Sequence, residues 1–420
     1  MGIFGRSATT RLLALVSTIV AGLMPVPQAL AASCTWIPST GNWATAGDWS
    51  CSAVPGSADS VTIGLLTQTV TVNTAQSVLN LTNAGNVDLN AFTLTLVGGG
   101  TTTNTGIINV GAGPIPNNAA LDVSAGHNVN NTGGVINISA DSVLNQFGST
   151  ISDGTIATTG TGAVAVFSSG NNFLSGVTLN GTLDLTSIAN AREQIINGAT
   201  LNGTVNIANG GILGLNSAST TGGHQTISGT GTINLNDAAA HLSIEGNGST
   251  TLASGITVRG QGNIGAASFV GGTNTLINNG LISADVNGGT LIIAPPANAG
   301  SLVNNATLQA TGGGTLQLST NTNNAGGTIS AQNGSVVVQN GVKISGGALT
   351  TSGTGAIQAS SSGVNFLDGV NLTGTLNLTS IANSREQIIN GATINGVVNV
   401  ANGGILSLNS ASTKIGRAHV

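Results

Sequence analysis

Residues 176–220 read GVTLNGTLDLTSIANAREQIINGATLNGTVNIANGGILGLNSAST, and residues 369–413 repeat this stretch as GVNLTGTLNLTSIANSREQIINGATINGVVNVANGGILSLNSAST. The offset is 193 residues, and 37 of the 45 positions are identical. Weaker matches continue upstream at the same offset, so the duplicated segments extend over residues 131–220 and 324–413. A duplication of this size, made of short apolar runs between Asn-Gly turns, indicates a repetitive architecture.

A shorter period lies inside each copy. Residues 176–185 recur as residues 198–207, which is a spacing of 22 residues. Periods in the twenties are typical of solenoids, in which one turn buries its apolar side only by stacking on the next turn. Within the unit, Thr182 and Asp184 alternate with Leu183 and Leu185, and this period of two predicts a β-strand.

The composition favours the same architecture. The chain has 420 residues, of which 64 are glycine, 40% are hydrophobic, 5% are charged and 2% are aromatic. A disordered chain has more charge and less hydrophobicity, and an ordinary compact domain has about 25% charged residues. We therefore predict an all-β protein, a single-stack parallel β-helix (β-solenoid) of right-handed winding with an N-terminal cap. Its side-chain amides are expected to form stacked ladders.

The charge balance argues against two classes of partner. The formal net charge is −5, from 8 basic and 13 acidic residues. Removing the two terminal segments described below leaves four basic residues against the same 13 acids, which gives a net charge of −9. Because no basic patch remains, we expect no binding to nucleic acid through phosphate neutralisation and no attraction to anionic lipid.

The first 31 residues have the pattern of a secretory signal peptide. Arg6 and Arg11 supply a positive n-region, and an apolar stretch follows over residues 12–24. This stretch is short for a membrane span, and residues 29–31 (Ala-Leu-Ala) offer a small-residue cleavage site. The alternative is an uncleaved membrane anchor. We predict export, with no direct membrane span in the mature chain.

Residues 32–64 differ from the rest of the chain, because they hold both cysteines and all three tryptophans. In an exported chain, Cys34 and Cys51 are predicted to form one disulfide, worth roughly 3 kcal/mol in the chain-entropy model. A redox or metal pair is the alternative, but no C-x-x-C spacing or nearby histidine supports it. Trp36, Trp43 and Trp49 are interpreted as a hydrophobic cap over the open end of the solenoid. The alternative is an exposed platform that stacks on sugar rings.

The Trp-rich segment reads GNWATAGDWSCSAVPGSADSVTIG at residues 41–64, and repeats such as NNTGGVINI and NNAGGTISAQNGSVVV follow it. These stretches resemble autotransporter passengers, filamentous-haemagglutinin-like adhesins and related exported repeat proteins of bacteria. The resemblance covers nearly all of the mature chain. It implies an exported parallel β-solenoid that is secreted or associated with the cell surface and outer membrane. The resemblance assigns no functional role to any residue of this sequence.

One polar pair occurs in both copies. Arg192-Glu193 and Arg385-Glu386 stand at equivalent positions, and their arginines are half of the four remaining basic residues. An arginine fork suits a sugar or a carboxylate, so these pairs, together with the three tryptophans, are the candidate surface binding residues. The alternative, which we favour because the surrounding residues are also duplicated, is a local ion pair on a bulging loop that contributes little stability.

No catalytic, cofactor-binding or metal-binding residues are predicted. A glycosidase needs two carboxylates about 5–10 Å apart. The acids Asp122, Asp141, Asp153 and Asp184 show only one spacing near that of a solenoid turn, and they are interpreted as solvated turn residues. The histidines are scattered singly, and the sequence shows no nucleophile elbow, Walker motif or calcium-binding glycine repeat. We therefore predict no cofactor.

The last seven residues break the repeat. After Thr413 the chain reads KIGRAHV, whereas the first copy continues with TGGH after Thr220. The string IGRAHV resembles the read-through translation of a common sequencing-library adapter. We interpret residues 414–420 as such an artefact, expect the native C-terminus to be missing, and assign the β-solenoid to residues 65–413.

Together these features predict a structural protein and not an enzyme. The expected function is a surface stalk or passenger that presents a long β-solenoid face to a host or cell-surface glycan or protein, or to extracellular matrix, through many weak contacts. The first alternative is a carbohydrate-active β-helix enzyme, either a polysaccharide lyase or a glycoside hydrolase. The second is a matrix protein that self-associates end to end.

Overall fold

The computed structural model describes residues 31–113, 117–167, 170–266, 270–295, 301–360 and 363–409. The proposed leader lies outside these ranges except for its last residue, and the proposed artefact at 414–420 lies outside them entirely. The described residues form 47 β-strands and two short 3₁₀ helices, Ala46–Asp48 and Thr221–Gly223. Local alternation explains the strands, since apolar and polar side chains alternate along most of them.

The strands stack in parallel. Beyond the first turn, nearly every strand pairs with the strand three places earlier and the strand three places later in the chain. Each turn therefore contributes three strands, and these form three ladders, which we name A, B and C in the order in which the chain enters them. The prediction of an all-β parallel β-solenoid is confirmed.

The strands of each ladder are as follows. Ladder A contains Ser33–Thr35, Ser60–Ile63, Asn80–Asn83, Thr101–Asn104, Asn128–Asn130, Thr150–Ser152, Asn172–Ser175, Arg192–Ile196, Ile212–Asn216, His241–Glu245, Gly262–Ala266, Thr290–Ala294, Thr315–Leu318, Val336–Gln339 and Ala356–Ala359. Ladder B contains Thr40–Asn42, Thr69–Thr71, Asn86–Leu89, Ile107–Val110, Val135–Ile138, Thr155–Thr158, Thr178–Asn180, Ala199–Leu201, His224–Gly229, Gly248–Leu252, Asn274–Asn278, Leu302–Asn304, Thr322–Asn323, Lys343–Ser345, Val364–Asp368, Arg385–Ile389 and Ile405–Leu408. Ladder C contains Gln76–Val78, Thr93–Leu96, Ala120–Val123, Val143–Gln146, Ala163–Val166, Thr182–Leu185, Thr204–Ile207, Thr232–Leu235, Thr257–Gly260, Leu281–Ala284, Thr307–Ala310, Thr328–Ala331 and Ala348–Thr351. Two longer strands, Asn371–Leu378 and Thr393–Val400, run through both ladder C and ladder A.

The core is a continuous column of aliphatic side chains. In ladder C, for example, Leu183, Val205 and Ile233 occupy one inward row on successive turns, and each is at most 1% exposed. Burial of such a side chain stabilises the fold by about 1.5–3 kcal/mol. Ladder B has 17 strands, and its 16 steps of about 4.8 Å give a described stack of roughly 77 Å.

Buried asparagine ladders reinforce the corners, as the composition predicted. In each ladder the Nδ2 of one asparagine donates to the Oδ1 of the next, at 2.7–2.8 Å. The two ladders are Asn83–Asn104–Asn131 and Asn278–Asn304–Asn324. Stacked amides of this kind satisfy one another inside the corner, where an unpaired polar group would be costly.

The duplicated segments form matching strands that lie in different ladders. Thr150–Ser152 in ladder A has its counterpart in Lys343–Ser345 of ladder B, and Ala163–Val166 in ladder C has its counterpart in Ala356–Ala359 of ladder A. The counterparts are 25 strands apart, which is eight turns of three strands plus one strand. The second copy is therefore shifted by one ladder around the stack.

The repeated Asn-Gly turns bring two backbones into close contact. A Cβ on Gly203 would lie 2.0 Å from the carbonyl oxygen of Gly181, and a Cβ on the equivalent Gly396 would lie 1.8 Å from that of Gly374. Only a residue without a Cβ can stand this close to the neighbouring backbone. This explains why both copies of the duplicated segment have glycine at this position.

Candidate functional site

The predicted disulfide is present. The sulfur atoms of Cys34 and Cys51 are bonded, and the Cα atoms are 5.0 Å apart. The bridge ties the first strand of ladder A to the loop that follows the helix Ala46–Asp48. It therefore fixes the N-terminal turn, which has no preceding turn among the described residues to pack against.

The three tryptophans are packed inside this turn. Trp36, Trp43 and Trp49 are 2%, 0% and 1% exposed. The ring of Trp49 meets the rings of Trp36 and Trp43 edge to face, with centroids 4.8 and 5.0 Å apart, and its Nε1 donates to the Trp43 carbonyl at 2.8 Å. A sugar ring needs an open aromatic face, so this geometry does not provide the platform considered above. It favours the interpretation as a hydrophobic cap.

Removal of the bridge has an expected cost. Replacing Cys34 and Cys51 together by serine is expected to lower the free energy of unfolding by about 2–4 kcal/mol, because the unfolded chain regains the entropy of the opened loop. Urea unfolding with and without reductant measures this. Reductant should destabilise the wild-type chain and leave the double variant unchanged. Equal stability of the oxidised wild-type protein and the double variant would contradict a stabilising bridge.

The two Arg-Glu pairs lie in strands and not on bulging loops. Arg192 begins the ladder A strand Arg192–Ile196, and Arg385 begins the ladder B strand Arg385–Ile389. Consecutive side chains of a strand point to opposite faces, so a local pair between them is geometrically excluded. The predicted local ion pairs are therefore absent, and the two arginines belong to different ladders.

Arg192 instead pairs across the stack. Its Nη2 lies 3.3 Å from Oε2 of Glu245, two turns further along ladder A, and its Nη1 donates to Oδ1 of Asn171 at 3.4 Å. Both members of the ion pair are almost fully buried. Burial lowers the pKa of the Arg192 guanidinium, and Glu245 raises it again in part. Glu245 was not singled out by the sequence, because its partner is 53 residues away.

Arg385 has a different environment. Its side chain is exposed on ladder B, whereas Arg192 is only 4% exposed. Ion pairs among the described residues include Arg192–Glu245, Arg259–Asp285 and Lys343–Asp368. The duplicated arginines therefore do not present one binding feature twice.

The two glutamates occupy the core. Glu193 shares an inward row of ladder A with Asn172 and Leu213, and Glu386 has the same relation to Asn365 and Leu406 in ladder B. Both glutamates are 0% exposed, and none of their carboxyl oxygens has a hydrogen-bond partner.

Burial raises the pKa of both carboxyls well above the usual range of glutamate. The backbones of Gln194 and Leu174 lower the pKa of Glu193 only in part, and they do not reach hydrogen-bond geometry. The sequence did carry a signal for this burial, since Ile195 follows Glu193 at the strand period of two.

The acids considered for catalysis are dispersed. Asp122 and Asp184 share an outward row of ladder C, but Asn145 and Ala165 lie between them, so three steps of about 4.8 Å separate the two acids. That is longer than the separation of a glycosidase pair. Asp141 and Asp153 accept hydrogen bonds from threonine side chains at corners. Within the described ranges, no group of three or more His, Cys, Asp and Glu side chains could hold a metal ion.

The described histidines are also separate. His127 is buried, with Nε2 at 2.9 Å from the Thr102 hydroxyl and Nδ1 at 2.7 Å from the Val97 carbonyl, and burial lowers its pKa. Burial lowers the pKa of His241 as well, and His224 contacts Ser249 at the surface.

One surface groove between turns brings two charged side chains together. It has a volume of about 250 Å³ and is lined by Asn234, Asn236, Arg259 and Asp285, where Nε of the arginine lies 2.8 Å from the aspartate carboxylate. Arg259 and Asp285, the two charged side chains of this groove, are therefore paired with each other. In the part of the chain that the structure describes, no helix is long and apolar enough to cross a membrane.

Comparison with known proteins gives little beyond this geometry. The chain matches no protein-family profile and no curated protein. Among solved structures, it is similar to a crystal structure of a TibC-catalysed hyper-glycosylated TibA fragment, at 16% identity and a TM-score of 0.26. The match covers 85% of this chain and 97% of that one. At this identity and TM-score, the similarity assigns the chain to no family and no function.

Proposed function

We propose that the chain is an exported structural repeat protein, a stiff stalk or passenger that presents its solenoid surface for adhesion, either at a bacterial cell surface or after secretion. The observation that carries this proposal is the uninterrupted stack of three parallel ladders, roughly 77 Å long in its described part. The resemblance to autotransporter passengers and filamentous-haemagglutinin-like adhesins supports export.

The outer surface suits many weak contacts. Thr182, Thr204, Thr232 and Thr257 form one outward row of ladder C, with one hydroxyl side chain on each turn. Such a row offers the same polar group every 4.8 Å or so. An extended partner, such as a glycan chain or a matrix protein, would meet this group repeatedly, and the contacts would add through avidity.

In this proposal the segments have separate roles. Residues 1–31 direct export, residues 32–64 cap the stack, and residues 65–413 form the presenting surface. The buried tryptophans and the disulfide support the capping role, because they close the apolar end of the first turn. The partner is a host or cell-surface glycan or protein, or extracellular matrix.

Measuring binding and sugar release in the same experiment distinguishes a structural adhesive protein from a carbohydrate-active enzyme. The oxidised chain is labelled and added to host cells, immobilised matrix proteins and a panel of polysaccharides, while released reducing ends and unsaturated sugars are measured. We expect saturable binding without product release, and weaker binding when Thr204 and Thr232 are both replaced by lysine. Catalytic release of sugar from any polysaccharide would contradict the structural function, and so would the absence of binding to every surface tested.

A further inference from the structure

Glu193 and Glu386 each stand in an inward row between a buried asparagine of the preceding turn and a leucine of the following turn. Leu213, Leu242 and Ile264 follow Glu193 in the same inward row of ladder A, and all three are fully buried. An ionised carboxylate in this row would lose its hydration without gaining a partner, whereas a neutral carboxyl is tolerated far better.

The polar neighbour of each glutamate is already committed to the backbone. Asn172 donates from Nδ2 to the Arg192 carbonyl at 3.0 Å and accepts at Oδ1 from the Gly148 N–H at 2.6 Å. Asn365 makes the same contacts one ladder away, with the Arg385 carbonyl at 3.0 Å and the Gly341 N–H at 2.7 Å. Neither amide hydrogen-bonds to the carboxyl beside it.

Among the described residues, no basic side chain faces Glu193. Arg192 lies on the outer side of the same strand, where it pairs with Glu245. His127 lies in the same inward row, three turns earlier, and burial lowers its pKa, so the imidazole is neutral near pH 7. The strands that face Glu193 from ladders B and C turn apolar residues inward, such as Leu179 and Leu183.

The surroundings of Glu386 follow the same pattern within the described ranges. Arg385 is exposed on the outer side of its strand, and Lys343 pairs with Asp368 on the outer side of ladder B. The facing strands contribute Leu372, Leu376 and other buried aliphatic residues.

We propose that these two glutamates make the packing of the solenoid proton-dependent. With its carboxyl protonated, each glutamate fills its core position and its turn stays closed. Loss of the proton places an unpaired charge in the core, and the turn opens locally so that the carboxylate reaches water. The duplication has thus given the stack two such proton-dependent turns, one in ladder A and one in ladder B.

The direction of the pH dependence follows from the raised pKa values. In the unfolded or locally opened chain the carboxyl has its ordinary pKa of about 4.3, whereas burial raises the pKa in the closed state. The closed state therefore binds more protons. The protonated carboxyl therefore stabilises the closed turn fully below the ordinary pKa, and this stabilisation is lost as the pH rises through the raised pKa. Between the two pKa values, the equilibrium constant for opening increases by up to about tenfold for each pH unit.

Hydrogen exchange at peptide resolution tests this on the full oxidised chain between pH 5 and 9, with rates corrected for the intrinsic pH dependence of exchange. We expect the protection of residues 192–196 and 385–389 to fall by at least about tenfold over this interval. In Glu193→Gln, which keeps the shape of the neutral acid, the protection of 192–196 should become independent of pH. The protection of 385–389 should still fall in that variant, and Glu386→Gln should show the converse.

Two further variants keep the test decisive if glutamine impairs folding. Glu193→Leu and Glu386→Leu place the residue of the neighbouring turns at each position, and each should remove the pH dependence of its own turn alone. The proposal is overturned if wild-type protection does not change with pH, or if the variants keep the wild-type dependence. It is also overturned if carboxyl titration followed by NMR finds both glutamates ionising at their ordinary pKa.

Discussion

Trp49→Ala is expected to lower the free energy of unfolding by about 3–5 kcal/mol, because it removes a fully buried aromatic side chain and leaves a cavity. The indole contacts both other tryptophans edge to face, and its Nε1–H satisfies the Trp43 carbonyl at 2.8 Å. One substitution therefore weakens the whole closure of the first turn.

Denaturant unfolding followed by far-UV circular dichroism measures this loss, and hydrogen exchange locates it. Protection should fall first in residues 33–63, at the end of the stack where Trp49 lies. Ile37→Ala is the matched control, since Ile37 is in the same turn but 61% exposed, and its effect should stay within about 0.5 kcal/mol. Equal effects of the two variants would show that the tryptophans do not close this end.

Asn304→Ala is expected to lower the free energy of unfolding by about 2–5 kcal/mol, because two buried amides each lose one hydrogen-bond partner. Asn304 accepts from Asn278 at 2.8 Å and donates to Asn324 at 2.7 Å, so its loss breaks the asparagine ladder in the middle. Each unsatisfied buried group then contributes its desolvation penalty of about 1–3 kcal/mol.

The neighbouring residue supplies the control for this prediction. Asn305 is exposed, although its Nδ2 also donates to an asparagine, Oδ1 of Asn279, at 2.9 Å. Asn305→Ala should change the free energy of unfolding by less than about 0.5 kcal/mol, since water replaces the lost partner. If both variants cost the same in urea unfolding, burial of the amides does not explain the ladder.

Much of the fold could be predicted because it depends on local patterns. The alternation around Leu183, the repeated Asn-Gly turns and the period of 22 residues together specify strands, corners and stacking. The pairing of Cys34 with Cys51 could be predicted because the chain has no other cysteine. The handedness of the stack stays a prediction, because alternation and period are the same for either hand.

The polar contacts could not be predicted in the same way, because they depend on which turn lies above which. Arg192 was paired with its sequence neighbour Glu193, but the strand sends those two side chains to opposite faces. Its actual partner, Glu245, becomes adjacent only when two further turns are stacked in register. The shift of the second copy by one ladder also depends on the number of strands between the copies, which the repeat length alone does not give.

The described strands form a single continuous stack in which each turn adds one step along the axis. Nitroxide labels on cysteines introduced at outward positions of ladder C test it by electron–electron distance measurement, since the native cysteines are bonded to each other. Thr182 and Thr307 are five steps apart in one row, and Thr182 and Ala348 are seven. A continuous stack predicts distances near 24 and 34 Å, a difference of about two strand spacings. Equal distances, or a shorter distance for the pair that is further apart in sequence, would contradict a continuous parallel stack.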